Sequence, residues 1–389
     1  MKNKLRVGIV AHRFECPGGI QTIFLELIAG LNEAGIVPDV VWDEPQDWGV
    51  LGDPDVQTSF GGGKLGISSG TLRSLPPWLA GRVRPFSVRH AKLKLDRYDF
   101  VYSFEAGVKM PEEVPNLCWI AGPAFLRLPG DRVDWRRFWK TREIRMIASH
   151  LSQPLTKPDR HSSYATHSEY IAELVRERHG FRPPVIWPAA RSRTLPAAPA
   201  HRAGFLFLSR FEAFKRADTI LSLAKALPEQ SFTLAGAAVG EDRDYVASLR
   251  RRVAGEGLTN VSIVENPSEE QVAGLLSSRD MFVFPVRGEH FGIVTVEAIQ
   301  AGLLPLVHDS GGQREIVPCE SLRFLSDADL IERARYALQM SRTDRSELVR
   351  ALQRHTERGT PRAYRRVMLQ KIRDVPALKD RLERVSCEA

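Results

Sequence analysis

The sequence predicts an α/β protein built from two Rossmann-like domains facing a cleft. Two observations carry this. Short apolar runs of strand length alternate with helical patterns through most of the chain, the signature of parallel sheets made from βαβ units. The alternation is also broken once and then restarts, and 389 residues suit two cores of ordinary size better than one.

In the first half, strands are expected over residues 6–12, 38–43, 100–104, 117–120, 164–167 and 185–187. A helix over residues 22–34 would gather Phe24, Leu25, Leu27, Ile28 and Leu31 near one face. Residues 45–97 show no period, because Gly61-Gly62-Gly63 and Pro76-Pro77 interrupt it. Residues 188–202 have a linker's composition, rich in proline and alanine with a few arginines. Beyond them, strands are expected at 204–209, 231–235, 261–264, 281–285, 304–308 and 322–325. Helices are expected at 217–227, 243–254, 269–276 and 292–301, and a last one at 362–373 after the break Gly359-Thr360-Pro361. The domains read from this are 1–190, 203–358 and a C-terminal helical segment, 359–389.

Composition narrows the function less than the pattern does. Hydrophobic residues at 43% and charged residues at 26% are ordinary for a globular chain. No apolar run reaches membrane-span length, and no secretory leader is read at the N-terminus. Cys16, Cys118, Cys319 and Cys387 form no pair at metal-ligand or redox spacing, which suits reduced thiols in the cytoplasm. A formal charge of +8 points to an anionic partner without naming it.

The richest stretch runs from Val283 to Ala298 and reads as buried strand, loop, then helix. A helix start offers unpaired N–H groups and the positive end of the helix dipole, so Phe291, Gly292 and Ile293 can cradle phosphate through their backbone. Glu297, deeper in the helix, suits a ribose diol, and Glu289 in the loop suits sugar hydroxyls. After the strand at 204–209 come Arg210 and Lys215, a planar fork and a point charge suited to a diphosphate and to charge building on a departing nucleotide. Pro17-Gly18-Gly19 and Asp309-Ser310-Gly311-Gly312 are glycine turns at strand ends, where backbone can approach a ligand closely. No acidic metal-binding motif accompanies these groups, so neither metal nor other cofactor is expected.

The order and spacing of these motifs resemble those of the retaining GT-B glycosyltransferases of family 4. Glu289 and Glu297 match that family's E-x7-E signature, Arg210 and Lys215 its donor-phosphate pair, and Gly18-Gly19 its N-terminal glycine loop. The resemblance implies a nucleotide-diphosphate sugar held by Arg210, Lys215 and Glu297, with Glu289 on the transferred sugar. It also implies a last helix that crosses back to the N-terminal domain. The run His290-Phe291-Gly292-Ile293, with Val307-His308-Asp309-Ser310, is similar to eukaryotic dolichol-linked α-1,2-mannosyltransferases, which points to GDP-mannose before UDP-hexose. One departure stands out. Many members end a central N-domain strand in a histidine, and Leu117–Pro123 here has none; Glu105 and His12 are candidates for its place, and Asp309 for a further sugar or acceptor contact.

Residues 127–145 interleave Trp135, Phe138 and Trp139 with Arg132, Arg136, Arg137, Lys140 and Arg142. Cations beside tryptophan suit an anionic membrane surface or a lipid-linked acceptor. Nucleic acid is not expected, since no binding motif accompanies them. The reading is a cytoplasmic protein, with docking on the inner face of the membrane as one alternative and a soluble acceptor as the other. Its rivals are a catalytically silent nucleotide-sugar-binding protein and an epimerase or phosphorylase of the same fold.

Overall fold

A computed structural model describes residues 5–10, 19–41, 59–60, 93–104, 110–120, 161–199, 201–238, 242–379 and 382. The chain divides into two compact units, Met1–Ala189 with Arg362–Ala389, and Ala190–Pro361.

In the first unit the strands are β1 (Val7–Val10), β2 (Asp39–Val41), β3 (Ser59–Phe60), β4 (Phe100–Ser103), β5 (Asn116–Ile120) and β6 (Ser163–Thr166). They form one sheet in the order β3-β2-β1-β4-β5-β6, parallel throughout. Their near-continuous burial explains why they read as unbroken apolar runs, as strands covered on both faces do. Helix α1 (Gly19–Glu33) buries Ile23, Phe24, Leu27, Ile28 and Leu31, while Leu25 is only partly covered. Helix α2 (Glu169–His179) starts on a Ser168 cap to Ile171 N–H and stops at Gly180 in the left-handed conformation.

The second unit repeats the plan. Its strands are β7 (Phe205–Leu208), β8 (Phe232–Gly236), β9 (Val261–Glu265), β10 (Met281–Phe284), β11 (Leu304–His308) and β12 (Arg323–Phe324), in the order β12-β11-β10-β7-β8-β9. Counted within each unit, both sheets therefore follow the doubly wound order 3-2-1-4-5-6, with order reversals between β1 and β4 and between β7 and β10. The helices are α3 (Asp218–Ala226), α4 (Asp242–Gly255), α5 (Glu269–Ser278), α6 (Ile293–Gln300), α7 (Gln313–Ile316), α8 (Asp327–Gln339) and α9 (Arg342–Thr356). The segment with a linker's composition is bound into this unit. Ala190 N–H donates to the Gly359 carbonyl at 2.8 Å, and Arg202 donates to the Ala301 carbonyl at 2.7 Å.

Helix α10 (Pro361–Arg373) belongs to the first unit from Arg362 onward. Tyr364, Met368 and Ile372 form its buried stripe. Its approach to α1 is close at Gly30, where an added Cβ would stand 2.9 Å from the Arg365 Cβ. Arg365 donates to Glu26 at 2.7 Å and pairs with Glu33. The buried Tyr102 hydroxyl donates to the Met368 carbonyl at 2.6 Å, and burial pushes that phenol well above the usual tyrosine range. Tyr102→Phe should therefore cost about 1 kcal/mol of stability, the net value of one such bond, read from urea unfolding.

Candidate functional site

In doubly wound sheets ligands bind beyond the carboxyl ends of the strands where the order reverses. In the second unit that place is defined by the loops after β7 and β10, which carry Arg210, Lys215 and Glu289. The chain leaves β7 through a single 3₁₀ turn, Ala213–Lys215, closed by Arg216 in the left-handed conformation. This aims Lys215 at the loop after β10, where its ammonium donates to Glu289 Oε2 at 2.6 Å. Both side chains are largely covered, at 13% and 17% exposure. The Lys215 nitrogen also lies 5.8 Å from the Phe284 ring centre and 4.9 Å from that of Phe214, within reach of cation–π attraction. Arg210 is half exposed and pairs with Glu212 at 2.8 Å. The other Glu212 oxygen, Oε2, is buried without a hydrogen-bond partner. Glu212 was not among the sequence candidates; a carboxylate two residues beyond Arg210 was the only signal for it.

The loop from Gly288 to Gly292 is held against the glycine turn after β11. Gly312 N–H donates to the Glu289 carbonyl and Gly288 N–H to Ser310 Oγ, both at 2.8 Å. Ser310 Oγ in turn meets His308 Nδ1 at 2.8 Å. Burial, then the charges of Arg287 and Arg216, push the His308 imidazole below its ordinary range. The glycines have a steric reason. A Cβ at Gly311 would lie 2.3 Å from the Glu289 carbonyl oxygen, and one at Gly312 would lie 2.5 Å from that of His290.

Gly292, at φ 106°, precedes the first residue of α6, and no side chain caps that helix start. Buried Gln313 buttresses it by donating to the Phe291 carbonyl at 3.1 Å and accepting from Thr295 Oγ1 at 2.9 Å. The Phe291 side chain is itself buried, so its backbone is what this loop can offer a ligand.

Glu297 lies in α6, apart from the Lys215–Glu289 pair in its own bonds. Its carboxylate accepts from Arg193 Nη1 at 2.5 Å and from the Arg191 N–H at 3.2 Å. Burial opposes the Arg193 charge, but Glu297 and then Glu269 outweigh it and raise the guanidinium further. Sequence reasoning missed Arg193 because its residues read as a linker. Asp309 is committed to Arg314 at 2.8 Å and Arg323 at 3.0 Å.

In the first unit, Gly19 is the exposed first residue of α1. Gly18, His12, Glu105 and the aromatic and basic stretch at 127–145 lie outside the described residues. The strand without a histidine, β5, carries buried Trp119, and His167 just after the neighbouring strand β6 stacks on it at 6.5 Å. Among the described residues no cluster of three or more His, Cys, Asp and Glu could hold a metal, and no helix is long and apolar enough to cross a membrane.

A family model described as glycosyl transferases group 1 matches residues 195–350. The chain is similar to the GDP-mannose:cellobiosyl-diphosphopolyprenol alpha-mannosyltransferase of Xanthomonas oryzae pv. oryzae, 33% identical over 112 residues, or 27% of this chain and 28% of that one. It is also similar to the GDP-Man:Man(3)GlcNAc(2)-PP-Dol alpha-1,2-mannosyltransferase of Yarrowia lipolytica, 31% identical over 140 residues, or 31% of this chain and 21% of that one. These matches thus span less than a third of the curated relatives. In three dimensions it resembles a glycosyltransferase from Rickettsia africae, with a TM-score of 0.66 and 13% identity over 96% of this chain and 99% of that one. The fold is accordingly GT-B, and it is residues 195–350 that match the group 1 glycosyl transferase model.

Proposed function

We propose that the protein is a retaining glycosyltransferase. It moves a hexose from a nucleotide-diphosphate sugar, GDP-mannose before UDP-hexose, to a hydroxyl of a glycan or lipid-linked acceptor. The observation that carries this is the convergence of Lys215 and Glu289 at the order reversal of the second sheet, with Arg210 on the same loop as the lysine. The GDP-mannose preference leans on the two relatives whose names contain that donor.

In this reading Arg210 and Lys215 hold the donor diphosphate, aided by the backbone of Phe291, Gly292 and Ile293 at the uncapped start of α6. Glu289 orients the sugar and Glu297 the ribose. The acceptor hydroxyl attacks the anomeric carbon on the face that the diphosphate leaves, and a phosphate oxygen takes its proton. Charge then builds on the departing diphosphate, where fixed cations are most effective. Lys215 has three donors and spends one on Glu289, so it can serve carboxylate and phosphate together. A site supplied with two cations and a helix start has no need of Mg²⁺ as a counter-charge.

The test is a thermal shift screen of GDP, UDP, GDP-mannose and UDP-hexoses, followed by a transfer assay with and without EDTA. A donor at a hundred times its dissociation constant stabilises by roughly 2.7 kcal/mol. Stabilisation by one nucleotide series and transfer that survives EDTA are the expected results. No response to any nucleotide sugar overturns the reading, and loss on chelation restored by a divalent ion overturns metal independence.

A further inference from the structure

Glu297 is held along one side before any ligand arrives. Arg193 takes one of its oxygens through Nη1, and the Arg191 N–H takes the other. The ion pair is well covered, with the Arg193 side chain 14% and the Glu297 side chain 9% exposed. Arg193 is fixed from behind as well. Its Nε donates at 3.2 Å to Glu269, the first residue of α5, and Glu269 also receives Arg191 Nη1 at 2.6 Å. Four charged groups from three parts of the unit therefore form one network around Glu297.

A carboxylate has about four lone-pair directions. Two are used here by donors from the 190–193 segment, which leaves two. A vicinal diol needs two acceptor sites in a fixed plane, and a carboxylate free to rotate would lose entropy on supplying them. The planar guanidinium, locked between Glu297 and Glu269, removes that freedom in advance.

We infer that Arg193 is a positioning residue for nucleotide recognition, fixing the plane in which Glu297 meets the ribose 2′- and 3′-hydroxyls. The inference rests on the reading of this unit as a nucleotide-sugar site. The competing role is purely structural, with Arg193 only pinning the 190–193 segment to α5 and α6.

The two roles separate on the sugar of the nucleotide. Calorimetry would compare GDP with 2′-deoxy-GDP and UDP with 2′-deoxy-UDP, on the wild type and on Arg193→Met, Arg193→Gln and Arg193→Lys. A hydrogen bond to a charged acceptor is strong enough for the wild type to prefer the ribonucleotide by about tenfold or more. In Arg193→Met that preference should fall to about one, and Arg193→Lys should restore part of it. Arg193→Gln, a milder neutral replacement, carries the same test if the methionine variant does not fold. Variants that bind both sugars more weakly but keep the wild-type ratio would overturn the positioning role. A wild type without any ribose preference would instead overturn the assignment of Glu297 to the ribose.

Discussion

Lys215→Ala is expected to lower turnover at saturating donor by about 10²- to 10³-fold, with a much smaller change in donor affinity. That is the size of effect found when one preorganised donor to a developing negative charge is removed. Lys215 qualifies because its ammonium is fixed before any substrate arrives. Glu289 holds it at 2.6 Å, two aromatic rings flank it, and little of it meets solvent. In the resting protein Glu289 balances its charge; as the diphosphate departs, new negative charge appears and the lysine's remaining donors meet it. Arg210 is half exposed and already paired with Glu212, so Arg210→Ala should cost less. Steady-state kinetics with separate kcat and KM decide this. A Lys215→Ala enzyme with near wild-type kcat would remove the lysine from the chemistry.

Gly311→Ala should both destabilise the protein and silence the site, although residue 311 offers no functional group. Its φ of +65° is strained for any residue with a Cβ, and that Cβ would sit 2.3 Å from the Glu289 carbonyl oxygen and 2.8 Å from the Glu289 nitrogen. Backbone cannot step aside as a side chain end can, so the loop that presents Glu289 must move. Strain of this kind together with overpacking costs about 2 to 4 kcal/mol. Gly274→Ala in α5 is the control, because a Cβ there meets nothing within 4 Å; it should be neutral or stabilise by up to about 1 kcal/mol. Urea unfolding and the transfer assay together read both effects. Gly311→Ala matching the control would show that the glycine turn does not set the Glu289 loop.

The features legible in the sequence were those written in short-range pattern. Phe205–Leu208 and Met281–Phe284 are fully buried four-residue runs, and strands of this type announce themselves by composition alone. The stretch at 185–187 looked similar but makes only an isolated bridge, Thr166 to Val185. Pro183, Pro184 and Pro188 leave that stretch few N–H groups with which to continue a ladder. Helices α8 and α9 were not read at all. Each buries only three residues, and in α8 two of these are alanines, so the apolar stripe is faint in a highly charged sequence. In the site, Lys215 and Glu289 were legible as residue types at strand ends, and the ion pair between them is a product of topology. Arg193 and Glu212 were not legible, because their roles come from partners 104 residues away in one case and from an unfilled acceptor in the other.

The return of α10 to the first unit also fixes an order of events during synthesis. The first unit lacks its closing helix until Arg373 has been translated, some 184 residues after Ala189. At bacterial or eukaryotic rates that interval lasts roughly 10 to 40 s. Throughout it Tyr102 has no Met368 carbonyl to bond, and Glu26 and Glu33 have no Arg365. The second unit, by contrast, is one continuous stretch of chain and can close as soon as it leaves the ribosome. The N-terminal half is thus made first and finished last, and in the meantime the face of α1 around Gly30 lacks the Arg365 contact that covers it in the folded protein.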